Sequence, residues 1–409
     1  MSDFSSSIST KLVHVGRNTG VSQGFVNIPP FNGSTVLHHS SADMKERTRR
    51  QMNGEEVLTY GTEGGPTHDA FYQLMNELEG GVGTWAYSTG LAGCVIPFFA
   101  FVKAGDHVLV TDSVYGPTRQ FCETILRGLG IEVEFYIPTI GEGIEELIRS
   151  NTRLIYMESP GSHSFEMQDV PAIVRVAQKH NVWTMIDNTW ASPMYFQPLK
   201  VGVDVVIHAV TKYIGGHSDL LMSTATCNAK AWLLVKAVST TMGQLVPADT
   251  IYLAHRGIRT MKVRMEAQFK SAQRIIHWLE QQPEVEKILW PAHEKDPGYP
   301  IWKRDFTGAS ALFAVKLKDS IPDAALDSFL DNLKLFGLGY SWGGYESLLI
   351  RSYGKRSKDD STAFEKMLRL SIGLEDSEDL IKDLQRGFEA LRKEITLTKK
   401  EKAPEAPFC

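Results

Sequence analysis

Short apolar runs alternate with helix-like segments through the first half of the chain, and this alternation limits the possible fold more than any other feature. The strand-like runs lie at residues 84–88, 107–111, 133–137, 153–157 and 182–186, and helical patterns lie at 118–129, 144–150 and 170–179. Such regular alternation predicts an α/β fold with a mostly parallel sheet and helices on both faces. Ligands of such sheets bind at the carboxyl ends of the strands.

Polar side chains that are able to do chemistry follow several of the strand-like runs. Asp112, Tyr115, Asp187 and Lys212 each come shortly after such a run. Because parallel strands place their carboxyl ends at one edge of the sheet, we expect these four side chains to lie close together. The clustering predicts an enzyme.

Lys212 is the most informative of these residues. It follows the apolar run at 205–210 and lies in a turn with Thr211 and two glycines. A lysine after a strand is, taken alone, more often a surface residue. Covalent amine catalysis needs a walled site that lowers the pKa of the lysine, because only a neutral amine attacks a carbonyl group. Lys212 and Asp187 together are the pair that a pyridoxal phosphate site requires, one bonded to the aldehyde carbon and one paired with the pyridinium nitrogen.

A turn at 88–91 is predicted to bind the phosphate group of such a cofactor. It contains Gly90 and Leu91 and opens an apolar helical segment that reaches residue 101. A helix that begins in small residues offers free backbone N–H groups and the positive end of its dipole to an anion. Pro97 is expected to bend this helix.

Composition excludes several other classes of protein. The formal net charge of -5 and the pI near 6.2 leave no basic stripe for nucleic acid. No apolar run approaches the ~20 residues that span a bilayer, and the N-terminus has no secretory pattern. The four cysteines show neither close pairing nor metal-ligand spacing, and the histidines have no accompanying carboxylates at ligand spacing. We therefore expect a cytoplasmic protein without a metal site, a membrane partner or a nucleic-acid partner.

The pattern changes beyond about residue 257, and a chain of 409 residues is long enough for two domains. A helical segment at 261–279 is followed by strand-like runs at 311–317 and 369–372 with a helical segment at 324–333 between them. We expect an N-terminal arm at 1–60, a large domain at 61–256, a smaller α+β C-terminal domain at 257–392 and a tail at 393–409. The tail is charged and lacks apolar periodicity, so we expect it to be disordered.

Arg369 lies among apolar residues of the last strand-like run. A buried arginine of this kind either pairs with an internal aspartate or presents its planar guanidinium group to a substrate carboxylate. The pattern around Arg369 leaves both roles open.

Four motifs together resemble the Cys/Met-metabolism family of fold-type I pyridoxal phosphate enzymes. They are Glu158–Ser162, Asp187–Trp190, Ala209–Asp219 and Tyr340–Ser347. The resemblance extends from about Thr10 to Leu391. The first and last of the motifs are more similar to the cystathionine β-lyase branch of the family than to its γ-lyases or γ-synthases.

The resemblance implies a role for each matching residue. Catalysis is implied for Lys212, Tyr115 and Tyr60. Cofactor binding is implied for Lys212, Asp187, Tyr115, Gly90, Leu91, Thr211, Tyr60 and Thr62. Substrate binding is implied for Arg369, which would hold the carboxylate, and for Ser341 and Trp342 beside it. Because Tyr60 lies on a loop that enters the active site of a neighbouring protomer in the family, the resemblance also implies a homo-oligomer, usually a tetramer built from dimers that share active sites.

The sequence departs from the family pattern at a few positions. Thr62 occupies the place of an arginine that binds the cofactor phosphate, and a neutral hydrogen bond there is about half as strong as a charge-assisted one. Glu63 would repel the distal carboxylate of a substrate if it pointed inward. Ala209 replaces a frequent serine, and Pro117 replaces the cysteine of methionine γ-lyases, which counts against that activity.

The implied activity is a pyridoxal phosphate-dependent carbon–sulfur β-lyase. Its substrate would be a sulfur-containing L-amino acid, most simply L-cystathionine, which would give homocysteine, pyruvate and ammonia in methionine biosynthesis. Another cysteine-S-conjugate β-lyase, including one of a natural-product pathway, is an alternative because Thr62 and Glu63 change the region expected to meet the far end of cystathionine. A γ-lyase or γ-synthase also remains open. A catalytically silent binding protein is disfavoured by the intact Tyr115, Asp187, Lys212 and Arg369.

Overall fold

A computed structural model describes residues 7–53, 55, 57–357 and 364–401, with only the backbone described for 398–401. Its main feature is a seven-stranded sheet in the order β1-β7-β6-β5-β4-β2-β3. The strands are β1 (Gly83–Tyr87), β2 (His107–Thr111), β3 (Glu132–Tyr136), β4 (Thr152–Glu158), β5 (Trp183–Asp187), β6 (Val205–His208) and β7 (Ser223–Cys227). The five strands from β6 to β3 are parallel, whereas β7 is antiparallel to both of its neighbours. The predicted α/β fold is confirmed.

Helices cover both faces of this sheet. The helices of this part of the chain are α1 (Ile8–His14), α2 (Ser41–Met52), α3 (Pro66–Glu79), α4 (Gly90–Val95), α5 (Gly116–Phe121), α6 (Val170–Lys179), α7 (Ser192–Tyr195), α8 (Trp232–Thr241), α9 (Ala248–Ile258) and α10 (Met261–Leu279). Strand β6 shows why the sheet is buried on both sides: Val205 and Ile207 belong to one apolar cluster and Val206 belongs to another. Alternate residues of a strand point to opposite faces, so apolar residues at successive positions require cover on both faces.

Some predicted helices have a different form. The segment that begins at Gly90 is α-helical only to Val95 and continues as a 3-10 segment, Ile96–Ala100, because Pro97 lacks the N–H that an α-helix needs. The predicted helix at 118–129 contains a π-helical turn, Cys122–Leu126. The predicted helix at 144–150 is a 3-10 segment, Pro138–Leu147, interrupted at a glycine with positive φ.

A second, antiparallel sheet of four strands lies in the C-terminal part, in the order β10-β11-β9-β8. Its elements are β8 (Val285–Leu289), α11 (Tyr299–Asp305), β9 (Leu312–Leu317), α12 (Asp323–Asp331), β10 (Leu348–Arg351), β11 (Met367–Ser371) and α13 (Ser377–Glu401). One apolar cluster contains the buried residues of strands β9 and β11 and of helices α12 and α13. The same cluster includes residues of helices α6 and α10, which cover the large sheet. One continuous core therefore joins the two sheets.

The two ends of the chain differ from the expectations for them. Helix α13 extends to Glu401, so the prediction of a disordered tail is wrong for residues 393–401; the remaining tail residues, 402–409, lie outside the described residues. The helix is anchored by buried Leu391 and by Arg392, which binds Glu284 at 2.8 and 2.9 Å. The N-terminal arm includes helix α2, which buries none of its residues against the rest of this chain.

Candidate active site

A cavity of about 370 Å³ lies at the carboxyl ends of the parallel strands. It brings together most of the residues that the sequence predicts for the site: Gly90, Leu91, Tyr115, Asp187, Thr211, Lys212, Ser341, Trp342 and Arg369. The last three come from the C-terminal part of the chain, so both sheets contribute to the cavity. Tyr60 and Thr62 do not line it; both are exposed.

Lys212 lies in a tight turn directly after β6. The backbone N–H of Lys212 donates to the carbonyl of Ala209 at 3.0 Å, and the N–H of Gly216 donates to the carbonyl of Lys212 at 2.7 Å. Gly216 has a φ of 70°, and a Cβ there would collide with the guanidinium group of Arg264. The turn therefore requires glycine at this position and fixes where the lysine side chain starts.

The amine of Lys212 is held among groups of the C-terminal part. Its Nζ donates to Ser341 Oγ at 2.6 Å and lies 5.2 Å from the ring centre of Trp342. Burial and, after it, the nearby guanidinium of Arg369 lower the pKa of Lys212, Asp187 partly opposes both, and the net result is a pKa of about 8. More of this amine is therefore neutral near neutral pH than in an ordinary exposed lysine, and the neutral form is the one that attacks a carbonyl group.

Asp187 ends β5 and is held by three donors. The backbone N–H of Thr189 donates to Asp187 Oδ1 at 2.9 Å, and Thr189 Oγ1 donates to the same oxygen at 2.5 Å. The thiol of Cys94 donates to Oδ2 at 3.5 Å. Donors on both oxygens favour the charged carboxylate, which is the form that pairs with a protonated ring nitrogen.

Arg369 is 9% exposed on the inner strand β11 and reaches the cavity from the second sheet. Its Nη2 donates to the carbonyl of Ser341 at 3.0 Å, and burial lowers the pKa of its guanidinium to about 10. No salt bridge joins Arg369 to a carboxylate within the described residues. Of the two roles left open by the sequence, this arrangement favours binding of a carboxylate from outside the chain.

The turn at the start of α4 suits a phosphate group. Thr89 caps the helix by accepting a hydrogen bond from the N–H of Ala92 at 3.1 Å, which leaves the N–H groups of Gly90 and Leu91 directed out of the helix. A Cβ at Gly90 would lie 3.3 Å from the Cβ of Ala209, so the small residues at both positions allow α4 to approach the lysine turn closely. Thr211 Oγ1 exchanges hydrogen bonds with the backbone of Met222 at 3.0 and 3.2 Å, so this hydroxyl also supports its own turn.

The structure adds lining residues that the sequence reasoning did not assign. They include Cys94, Glu158, His163, Tyr340 and Tyr353. Glu158 ends a strand as Asp187 does, so the strand-end rule was a sufficient signal for it. The rings of His163 and Tyr353 lie in contact at a tilt of 47°, with their centres 4.7 Å apart, and burial together with Arg369 lowers the pKa of His163 to about 3. Their meeting depends on packing between distant segments and has no local signal.

Glu63 does not enter the cavity of its own chain. Its carboxylate accepts hydrogen bonds from Gln51 and from Thr59 Oγ1, the latter at 3.0 Å. These contacts hold Glu63 against the N-terminal arm. The described residues contain no group of three or more histidine, cysteine, aspartate or glutamate side chains that is arranged to hold a metal. No helix in the described part of the chain is both long and apolar enough to cross a bilayer.

The donor set fits one class of cofactor. A lysine with a lowered pKa, a charged aspartate on the neighbouring strand and a helix start with free N–H groups border the same cavity. These are the groups that bind the aldehyde carbon, the ring nitrogen and the phosphate of pyridoxal phosphate. The fold and the site therefore define a pyridoxal phosphate-dependent enzyme of fold-type I.

Comparison with known proteins identifies the family. Residues 9–389 match the family described as Cys/Met metabolism PLP-dependent enzyme. A relative from Rhizobium johnstonii is 47% identical over 387 residues, which cover 94% of this chain and 96% of the relative. Cystathionine beta-lyase MetC of Escherichia coli (strain K12) is 40% identical over 388 residues, covering 93% and 98%. The crystal structure of metB from Corynebacterium glutamicum matches with a TM-score of 0.86 at 29% identity, covering 95% of this chain and 99% of that one.

The chain therefore belongs to the Cys/Met metabolism family of pyridoxal phosphate-dependent enzymes, and pyridoxal phosphate is its cofactor.

Proposed function

We propose that the protein is a carbon–sulfur β-lyase that converts L-cystathionine to homocysteine, pyruvate and ammonia, a step of methionine biosynthesis. The observation that carries the proposal is the Lys212 amine, with its pKa lowered to about 8, held beside Ser341, Trp342 and Arg369 in the cavity that contains Asp187. The similarity to cystathionine beta-lyase of Escherichia coli over nearly the whole chain supports the choice of substrate.

The residues of the cavity have complementary tasks. Lys212 would bind the aldehyde carbon of the cofactor, Asp187 would pair with its ring nitrogen, and Tyr115 would contact its ring. The N–H groups of Gly90 and Leu91, with Thr211, bind its phosphate. When bound, pyridoxal phosphate supplies an electron sink for the electron pair left at the α-carbon of the substrate.

Arg369 binds the substrate, and Lys212 transfers the protons. The guanidinium of Arg369 binds the α-carboxylate in a planar, bidentate manner. Lys212 Nζ takes the α-proton of the bound substrate as a general base. The bond between the β-carbon and sulfur then breaks with its electron pair on sulfur, and the Lys212 ammonium returns a proton to that sulfur. Water completes the conversion of the remaining fragment to pyruvate and ammonia.

Replacement of Lys212 tests this assignment. We expect Lys212→Ala to abolish both turnover and the visible absorbance of the covalently bound cofactor, because no other lysine lines the cavity of the described chain. Lys236→Ala, at a half-buried helix position beside Trp232 and outside the cavity, is the matched control and should leave both unchanged. Continued release of pyruvate from cystathionine by the Lys212→Ala variant would contradict the role of the lysine.

A second candidate activity is β-elimination from other cysteine S-conjugates. Three tyrosines border the cavity and remain exposed: Tyr115 at 42%, Tyr340 at 77% and Tyr353 at 56%. Aromatic rings accept apolar or aromatic sulfur substituents as readily as a charged one. Turnover of S-benzylcysteine above that of cystathionine would favour this candidate. Release of 2-oxobutyrate instead of pyruvate from cystathionine would indicate γ-elimination.

The assembly and the division of the chain are part of the same proposal. Tyr60 and Thr62 are exposed and lie outside the cavity of their own chain, which supports their placement in the active site of a neighbouring protomer. The N-terminal arm also exposes Phe25, Leu37 and Met52, each by more than 70%, as an interface would require. We infer a homotetramer of dimers that share active sites, each chain having an arm at 1–60, a large domain at 61–256 and a C-terminal domain at 257–392.

A cytoplasmic location completes the proposal. The described cysteines, Cys94, Cys122 and Cys227, are all buried free thiols, which is usual for proteins of a reducing compartment.

A further inference from the structure

Two carboxylates lie side by side at the end of the large sheet, and only one of them has a role in the mechanism above. Glu158 ends β4, Asp187 ends β5, and the two residues are partners in the register of these parallel strands. Both line the cavity. Neighbouring carboxylates repel each other when both are charged, so a protein environment that favours charge on one of them keeps the other neutral.

The two carboxylates have unequal sets of donors. Asp187 accepts hydrogen bonds on both oxygens, from the N–H and hydroxyl of Thr189 and from the thiol of Cys94. Glu158 accepts one, from the backbone N–H of Tyr115 to Oε2 at 2.7 Å. Since hydrogen bonds to a carboxylate favour its charged form, the negative charge of the pair belongs on Asp187.

The other groups around Glu158 point the same way. Asp187 faces it from β5, Cys94 from α4, Tyr115 from the turn after β2, and Tyr156 lies on its own strand. None of these side chains carries a positive charge, so none of them attracts a negative charge on Glu158. Burial first, and Asp187 second, raise the pKa of Glu158 well above its usual range, and the Tyr115 N–H only partly opposes them.

We propose that Glu158 is a positioning residue that works as a neutral, protonated acid. Its Oε2 holds the backbone N–H of Tyr115 and so fixes the turn that presents this ring to the cofactor. Its Oε1 carries the proton, which leaves Asp187 as the charged member of the pair. The inference rests on the proposed pairing of Asp187 with the ring nitrogen.

A neutral Glu158 also protects the reactivity of Lys212. The charge of Asp187 already raises the pKa of this lysine against the effect of burial. A second negative charge on the adjacent strand end would raise it further and reduce the neutral amine available at neutral pH.

Two substitutions in the holoenzyme test the proposal. Glu158→Gln keeps a neutral side chain of the same shape with an oxygen acceptor for the Tyr115 N–H. We expect it to leave the midpoint of the pH titration of the cofactor's visible absorbance, and the dissociation constant of the cofactor, at their wild-type values. Glu158→Ala removes the acceptor, so we expect the dissociation constant to rise roughly tenfold.

Either measurement can overturn the proposal. If Glu158 is charged in the native enzyme, Glu158→Gln removes that charge and lowers the titration midpoint by about one pH unit. Glu132→Gln, on the exposed end of β3, controls for a remote loss of one negative charge. A wild-type dissociation constant in Glu158→Ala would disprove the positioning role, and circular dichroism of each variant reports whether it is folded.

These outcomes are separate from the proposed activity. A wild-type enzyme that binds the cofactor and titrates normally but releases no pyruvate from cystathionine or S-benzylcysteine would contradict the proposed function. The measurements on the Glu158 variants would still test the role of Glu158, because they need no substrate.

Discussion

At the scale of single residues, the surroundings of Lys212 decide whether it is a nucleophile or an ordinary cation. Burial is the largest cause of its lowered pKa, because removal from water disfavours the ammonium form, and Arg369 adds the repulsion of a second cation. The same arginine serves the substrate carboxylate in the proposed mechanism. The guanidinium group of Arg369 therefore lowers the pKa of Lys212 and also binds the carboxylate of the substrate.

This double role of Arg369 gives a prediction about pH. We expect Arg369→Met to raise the pKa of Lys212 by about half to one unit, because it removes a cation that disfavours the ammonium form. A raised pKa leaves less neutral amine at neutral pH. The midpoint of the pH profile for covalent uptake of pyridoxal phosphate by the apoenzyme therefore moves to higher pH. The rise of visible absorbance after mixing measures this rate without any substrate.

The control for the Arg369 experiment is Arg392→Met. Arg392 lies in the C-terminal helix α13, and this substitution removes a guanidinium that is paired with Glu284. It should leave the uptake profile in place. A profile of Arg369→Met that is unchanged or moved to lower pH would contradict the electrostatic role of the arginine.

At the scale of elements, local patterns predicted β1 to β6, β9 and β11 but missed β7, β8 and β10. Strand β7 consists of serine, threonine, alanine and cysteine, and every one of its residues is buried. It is stable because β1 and β6 pair with it on both sides and helices cover it, which no local pattern reports. The helical segments at 118–129 and 144–150 were placed correctly in the order of elements, but their π and 3-10 forms depend on tertiary packing.

Strand β6 carries the element-scale prediction, because it positions the catalytic lysine. Ile207 is fully buried on this strand, and Ile207→Ala should lower the free energy of unfolding by about 2–5 kcal/mol through lost burial and a residual cavity. Denaturant titration of the holoenzyme measures this loss. The exposed Leu233 is the matched control, and Leu233→Ala should change stability by less than about 0.5 kcal/mol. Equal effects of the two substitutions would contradict the burial of β6.

At the scale of the whole molecule, the cavity depends on contacts between segments that lie far apart in the sequence. Ser357 donates through its N–H and hydroxyl to Asp112 at the end of β2, at 3.0 and 2.5 Å, and Arg356 binds Glu166. These contacts attach the segment after β10 to the large sheet and bring Tyr353 to the cavity. Strand-end residues such as Asp187 were predictable because a parallel sheet gathers them; Arg369 was assigned a role only through family resemblance, and Tyr353 was not predicted.

The neighbouring protomer provides the last test, because Tyr60 lies outside the cavity of its own chain. If Tyr60 completes a partner's site, Lys212→Ala and Tyr60→Ala chains should be nearly inactive separately but active in hybrids. One site of each hybrid dimer then combines Lys212 of one chain with Tyr60 of the other, so random pairing of equal amounts restores about a quarter of the sites. Assays of lyase activity on cystathionine, made after the two variant chains have been refolded together, measure this recovery.

The matched control for the hybrids is a mixture of Lys212→Ala and Arg369→Met chains. Lys212 and Arg369 line one cavity within a single chain, so every site in these hybrids lacks one of the two and activity stays at the level of the separate variants. Recovery in the control but not in the Tyr60 mixture would reverse the assignment of the shared residue. Recovery in the Tyr60 mixture alone would show that the site requires the arm of a second chain, since neither variant chain carries a complete set of residues.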